Sequence, residues 1–353
     1  MENVKIYNGN QIGGCITIVS TENTRVMIDF GENLPGIETG CQDNDFDWKT
    51  ERIDAVLFTH YHGDHIGRFK EIPNSIPLYM GKLTRQVMTT ISKYIGDTEA
   101  LEILQDSNRI NEVSVAKSFE IGDIRVTPYM VDHSAFDAYM FLLETPDKNI
   151  LHTGDFRGHG YRGKAVIPMI NKYIRQFGKR SVDVLITEGT MLSRLTEKIY
   201  SEAAKEYGGP YDFQYVYEYN PDSIIYSDKL KNPTQQEEIM RKEGFLIVIK
   251  ADKKYKKWIE RFSDLNPIVI YSMWKEYLNP KHKAYNDEWK VFLDSCNCVE
   301  YMHTSGHATA ALISEVINAV EPREKIYPIH TENVNEFVNL DIKEELRRRI
   351  QYS

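Results

Sequence analysis

The residues able to do chemistry in this 353-residue chain are concentrated in one run, Phe58-Thr59-His60-Tyr61-His62-Gly63-Asp64-His65-Ile66-Gly67. Three imidazoles and a carboxylate within six residues can surround a cation if the loop is tight, and Gly63 and Gly67 permit a tight loop. Imidazole supplies neutral nitrogen donors suited to zinc, whereas the Asp64 carboxylate can serve a second, harder site or a bridging position. The run directly follows a strand-like segment. Asp29, His133, Asp155 and Glu188 also stand where strand-like segments end. An α/β enzyme collects reactive groups along one edge of its sheets in this way.

Up to about Arg194 the chain alternates β-rich runs with amphipathic stretches. Strands are expected over Thr17–Ser20, Arg25–Phe30, Ala55–Thr59, Ile124–Val131, Tyr139–Glu144, Ile150–Thr153 and Val182–Thr187, and helices over Thr84–Tyr94 and Ala165–Phe177. From Leu195 to Cys298 the character changes. This stretch holds 11 of the 22 tyrosines and three of the four tryptophans, and it reads as an inserted domain. Its second half reads as βαβ, with strands over Phe245–Lys250 and Pro267–Tyr271 around a helix over Asp252–Phe262. In its first half Tyr211, Phe213, Tyr215, Tyr217 and Tyr219 alternate at period two. They could form a platform for stacked bases or a strand whose aromatic face packs on its own domain. The basic cluster Arg241, Lys242, Lys250, Lys253, Lys254, Lys256 and Lys257 could follow a phosphate backbone or form a solvated helix face. Val299–Met302, a helix over Thr309–Val320, a strand over Lys325–Ile329 and a C-terminal helix over Val334–Ile350 then resume the α/β pattern. The expected domains are 1–194 and 299–353, together one core, with 195–298 inserted.

With 41% hydrophobic and 27% charged residues, the composition is globular, neither disordered nor fibrous. Apolar runs fall far short of the roughly 20 residues that span a bilayer, and Met1 to Asn10 lack the basic start and apolar stretch of a secretory signal. A cytoplasmic location is therefore expected. Cys15, Cys41, Cys296 and Cys298 are too few for a disulfide scaffold, and the single residue between the last two is not zinc-knuckle spacing. They are expected to be buried apolar fillers. A formal charge of −9 disfavours tight nonspecific nucleic-acid binding while leaving room for a local basic channel.

The run from His60 to His65 matches the HxHxDH signature of the metallo-β-lactamase fold and so resembles that superfamily. Asp29, followed by Gly31, resembles its first motif, His133 in Val131-Asp132-His133-Ser134 its third, and Asp155 in His152-Thr153-Gly154-Asp155-Phe156-Arg157 its fourth. The resemblance implies an αββα sandwich holding two zinc ions, with manganese as the alternative metal. His60, His62 and His133 would hold one ion, Asp64, His65 and His330 the other, and Asp155 would bridge them, with Asp29 supporting the metal loop from behind.

Three further segments narrow the resemblance. Glu188 in Ile186-Thr187-Glu188-Gly189-Thr190, His307 in His303-Thr304-Ser305-Gly306-His307-Ala308 and His330 in Pro328-Ile329-His330-Thr331-Glu332 resemble motifs A, B and C of the β-CASP branch, the nucleic-acid-processing group that includes ribonuclease J. The insertion is shorter than a usual β-CASP domain, and the chain ends soon after the third motif. The implied activity is cleavage of phosphodiester bonds in single-stranded RNA, as a ribonuclease or exonuclease. Asp64, His307 and Glu188 would be catalytic, with Thr304, Ser305 and His307 on the substrate phosphate and Arg157, His159 and Arg162 adding positive charge or forming structural ion pairs. A small-molecule hydrolase of the same fold, such as a lactonase or phosphodiesterase, is the alternative favoured by the short insertion and the net charge. A noncatalytic RNA-binding member is a further alternative, and homo-oligomerisation is open.

Overall fold

The structure, a computed structural model, describes residues 4–34, 46–176, 182–193, 233–247, 249, 253–273, 275–281, 285–302 and 305–351. The chain divides into two compact units, residues 1–208 with 305–353, and residues 209–304.

Among the described residues the first unit contains two six-stranded sheets. One runs in chain order: β1 (Val4–Tyr7), β2 (Ile16–Ser20), β3 (Arg25–Ile28), β4 (Ala55–Leu57), β5 (Leu78–Gly81) and β6 (Ile110–Val113). The first three strands are antiparallel neighbours, and β3 to β6 are parallel. The other sheet uses β7 (Phe119–Ile121), β8 (Ile124–Val131), β9 (Ala138–Glu144), β10 (Asn149–His152) and β11 (Val184–Glu188). In the second unit lie β12 (Val269–Tyr271) and β13 (Val299–Tyr301), and β14 (Lys325–Ile329) returns to the first unit, where the sheet order is β14-β11-β10-β9-β8-β7.

Period-two burial explains the layering, because successive side chains of a strand point to opposite faces. Val26 and Ile28 of β3 face Phe141 and Leu143 of β9 in a core between the sheets, whereas Met27 packs outward with Phe69, Ala100 and Leu104. Met140 and Leu142 of β9 turn the other way, toward Ile313, Val316, Ile317 and Val320 of the helix Ala310–Val320. Helices α1 (Gly63–Ile66), α2 (Lys82–Ile95) and α3 (Thr98–Gln105) are connected to the first sheet. The layers therefore run helix, sheet, sheet, helix, the αββα order the resemblance implied.

The stretch expected to be one helix over Ala165–Phe177 is a 3-10 turn (Gly163–Ala165), an α turn (Val166–Met169) and a π segment (Ile170–Gln176). Pro168 lies within it and lacks the N–H that a regular α ladder needs. The single C-terminal helix expected over Val334–Ile350 is a 3-10 helix, Val334–Asn339, and one α turn, Glu344–Arg347. Leu340 takes extended backbone, so that Leu340 and Ile342 both reach the core. Asp341 N–H donates to Ser314 Oγ at 3.1 Å and Lys343 N–H to Asn318 Oδ1 at 3.3 Å, in place of helical bonds.

In the second unit β12 and β13 pair in parallel, with the helix Asp287–Asp294 between them in sequence and a small core of Tyr271, Leu278, Phe292 and Leu293. Val299–Tyr301 thus belongs to this sheet and does not resume the first unit as expected. Residues 245–247 and 249 of the strand expected over Phe245–Lys250 are irregular, and residues 248 and 250 lie outside the described set. Two members of the basic cluster have local acidic partners, Arg241 with Asp264 at 2.6 Å and Lys242 with Glu243 at 2.9 Å. The Tyr211 to Tyr219 pattern and Cys41 lie outside the described residues. Of the other cysteines Cys15 is buried as expected, but Cys296 is half-buried and Cys298 exposed, because their turn follows the last helix of the small unit.

Candidate metal centre

Six strand ends meet at one edge of the first unit. Asp29 follows β3, His60 follows β4, His133 follows β8, Asp155 follows β10, Glu188 ends β11 and His330 follows β14. The sheets are joined at this edge by Tyr139 N–H, which donates to Thr59 O at 3.0 Å. Close backbone approach shapes it as well. A Cβ on Gly31 would lie 1.8 Å from Asp64 O, and Gly154, just before Asp155, has φ +56°. Gly63 opens α1 with ordinary helical geometry, whereas two non-glycine residues at this edge, Asp29 (φ +62°) and His330 (φ +50°), take left-handed conformations. Such conformations persist where surrounding bonds over-determine them.

Those bonds are present. Asp29 Oδ1 accepts Thr59 N–H at 2.8 Å, and Oδ2 accepts the Thr59 hydroxyl and His65 Nδ1–H, each at 2.8 Å. The same hydroxyl accepts from His60 Nδ1 at 3.0 Å. His133 Nδ1 donates to Gly306 O. The Thr190 hydroxyl donates to His330 O at 3.0 Å and accepts from His330 Nδ1 at 2.8 Å. The hydrogen-bond network assigns the tautomers. At His60, His65, His133 and His330 the outer ring nitrogen carries a proton, which leaves the inner nitrogen able to present a lone pair once a cation displaces any second proton.

The inner atoms converge in two groups. His62 Nδ1 lies 3.0 Å from His60 Nε2 and 3.1 Å from His133 Nε2. Three lone pairs this close repel unless a cation lies among them, and the edges of a tetrahedral zinc site with bonds of about 2.1 Å are only slightly longer. The second group is mixed. His330 Nε2 lies 3.2 Å from Asp64 Oδ2, and His65 Nε2 lies 3.8 Å from Asp64 Oδ2 and 3.1 Å from Asp155 Oδ2. The donor set and its spacing fit divalent cations.

The groups also differ electrically. Burial, reinforced by neighbouring imidazoles, pushes His60 well below the ordinary histidine range. Burial also lowers His62 and takes His133 well down. At His65 burial opposes the charged form, but Asp155, Asp64 and Asp29 hold the ring protonated well above its ordinary value. Burial likewise opposes ionisation of Asp155, yet His330, His65 and His307 keep it well below the usual carboxylate range. One side is neutral, and the other balances opposed charges.

A third group adjoins Asp155. His307 Nδ1 lies 3.1 Å from Glu188 Oε2 and 3.3 Å from Asp155 Oδ2. Glu188 is fully buried, and its other oxygen accepts Phe156 N–H at 2.8 Å and Ala308 N–H at 3.2 Å. Ser305 Oγ accepts His307 N–H at 3.1 Å, and Thr304 lies outside the described residues. Arg157 forms an ion pair with Asp132 at 2.6 Å, whereas His159 Nε2 is buried with no partner among the described residues. Thr59 and Thr190 carry almost no signal in the sequence, only a hydroxyl next to His60 and another two residues after Glu188.

The Beta-lactamase superfamily domain matches residues 24–200, half of the chain. The chain belongs to the metallo-β-lactamase superfamily. It is similar to ribonuclease J of Helicobacter pylori (strain ATCC 700392 / 26695), 25% identical over 190 residues, covering 51% of this chain and 26% of that one. It is also similar to exodeoxyribonuclease WalJ of Streptococcus pneumoniae serotype 2 (strain D39 / NCTC 7466), 25% identical over 186 residues, covering 52% of this chain and 65% of that one. The matched part thus spans about a quarter of the ribonuclease J chain. A crystal structure of a protein of unknown function from Enterococcus faecalis V583 superposes with a TM-score of 0.55 at 18% identity, covering 94% of this chain and 95% of that one, a likeness of fold alone. The superfamily implies a divalent metal and a hydrolase. No helix among the described residues is long and apolar enough to cross a membrane.

Proposed function

We propose that this chain is a dinuclear zinc hydrolase of β-CASP type that cleaves phosphodiester bonds in single-stranded nucleic acid, RNA in the first instance. The observation that carries the reading is His307, held by buried Glu188 beside Asp155 at the end of a complete His and Asp set. A hydrolase needing only a metal would have no use for this extra acid. In this reading His60, His62 and His133 would hold one ion and Asp64, His65 and His330 the other, with Asp155 available to both. Two such cations lower the pKa of water toward neutrality and neutralise charge on the phosphodiester oxygens.

The chain's own residues do the rest. Glu188 accepts the Nδ1 proton of His307 in a hydrogen bond and so turns Nε2 toward the substrate. There it binds the scissile phosphate or protonates the departing 3′-oxygen, which would otherwise leave as an alkoxide. Ser305 fixes the turn that carries His307. Asp29 and Thr190 keep His65 and His330 from rotating away.

The test is cleavage of 5′-end-labelled single-stranded RNA, the matching DNA and bis-p-nitrophenyl phosphate by purified, zinc-loaded protein. Polymer cleavage abolished by a chelator and by Asp155→Ala is expected, with RNA cut faster than DNA. Faster DNA cleavage would move the substrate toward that of the exodeoxyribonuclease relative. Hydrolysis of the small diester with both polymers intact would overturn the nuclease reading.

A further inference from the structure

The centre is accessible where His62, Asp64 and His307 are half-buried, and two aromatic side chains attached to this edge stand in water: Phe136, 67% exposed, and Tyr161, 71% exposed. Phe136 comes three residues after His133, between buried Ala135 and Asp137. Its backbone is held from both sides. Phe136 N–H donates to the Tyr61 hydroxyl at 3.3 Å, and Arg162 Nη1 donates to Phe136 O at 3.3 Å. The Tyr61 ring stands edge-on to His62, with centroids 5.5 Å apart. Arg162, next to Tyr161, is anchored through its backbone N–H to Asp132 Oδ2 at 2.6 Å, on the carboxylate that also binds Arg157. Its exposed guanidinium has no carboxylate partner among the described residues.

A lone exposed aromatic residue is ordinary. Two of them, joined by an anchored guanidinium to the loops that carry His62 and His133, are the components of a surface on which bases stack and a phosphate is neutralised. We infer that Tyr61, Phe136, Tyr161 and Arg162 form a subsite for the nucleotide adjoining the cleaved bond, with its base on the Phe136 or Tyr161 ring and a phosphate on Arg162. The inference rests on the phosphodiesterase reading of the centre. It also restricts the substrate to single strands, because a base inside a duplex already has both faces stacked.

The experiment is equilibrium binding by fluorescence anisotropy, using the zinc-loaded full chain carrying His307→Ala to prevent turnover. The probes are fluorescein-labelled oligouridylate, oligothymidylate and an oligomer of abasic sugar phosphates of the same length. Phe136→Ala and Tyr161→Ala should each weaken binding of the base-bearing oligomers by about 5- to 150-fold and leave the abasic oligomer unchanged. Phe136→Tyr and Tyr161→Phe should retain binding. Arg162→Gln should weaken all three probes alike and flatten the dependence of log K on log salt by about 0.7. The uridylate and thymidylate arms distinguish RNA from DNA as the source of the base. Equal losses on base-bearing and abasic oligomers, or no loss from either alanine variant, would overturn the subsite even if the wild type cleaves polymers. Base-dependent binding without any cleavage by the wild type would support the subsite and overturn the nuclease reading. Absence of binding by any probe would overturn the subsite.

Discussion

On one side of the centre three imidazoles approach within 3.0–3.1 Å along His62, and burial keeps them neutral. On the other side Asp64, His65 and Asp155 favour one another's charged forms at 3.1–3.8 Å, with the His330 ring 3.2 Å from Asp64. The imidazole side comes from one loop and the end of β8, with its rings fixed by a threonine hydroxyl and a backbone carbonyl. Three separate chain segments from both sheets supply the mixed side, which needs two left-handed residues, Asp29 and His330, to aim its rings. The two sides therefore have different weaknesses. A neutral side fails when a donor is lost, whereas a charge-balanced side also fails when a charge is left without its counterpart.

The largest effect should follow from Asp155→Ala. Asp155 lies 3.1 Å from His65 and 3.3 Å from His307, so its removal takes away the carboxylate shared by the mixed side and the His307 group. Elemental analysis should find both ions gone and turnover abolished. Retention of one ion would show that the two sides are independent of each other. Next, His62→Ala and Asp64→Ala should each reduce bound metal from two equivalents to one, and turnover should be lost in both. A fall to zero in His62→Ala would mean that the mixed side cannot hold an ion unless the imidazole side is filled.

A smaller effect separates metal from acid. His307→Ala should keep both ions, because His307 contacts Glu188 and Asp155 and stands outside both metal groups of the proposal. Its turnover should fall by about 10²–10⁴-fold, the usual contribution of a positioned acid. Metal loss in this variant would reassign His307 as a ligand.

The strand ends carrying Asp29, His60, His133, Asp155 and Glu188 are legible in the amino-acid sequence, because their strands are buried on both faces or alternate strictly and because the His60 to His65 run is contiguous. Val299–Tyr301 is not, since a three-residue, largely exposed strand has no hydrophobic period to reveal its partner, and its sequence points to the wrong unit. The C-terminal segment reads as one helix because Ile342, Leu346 and Ile350 recur every four residues, while the bonds that interrupt it come from Ser314 and Asn318, distant in sequence. Thr59 and Thr190 are silent for a related reason. A threonine next to a strand end is common, and only the packed sheets supply the ring that makes its hydroxyl matter.

Thr190 therefore offers the subtlest way to tell the two sides apart. Its hydroxyl fixes His330 through two bonds, at 2.8 and 3.0 Å. Thr190→Val keeps the shape and removes the hydroxyl. His330 loses the partner that sets its tautomer, and its left-handed backbone loses one of the bonds that hold it. Supporting bonds of this kind contribute about 10–100-fold to metal affinity. The loss should fall on the mixed side alone, so a zinc titration of Thr190→Val should separate into one tight step, unchanged from wild type, and one weakened step. Thr59 gives the converse case with a different outcome: its hydroxyl touches both His60 and Asp29, so Thr59→Val should weaken both steps. Two variants that weakened the same step equally would show that the centre responds as one unit, and that its division into a neutral and a charge-balanced side has no energetic meaning.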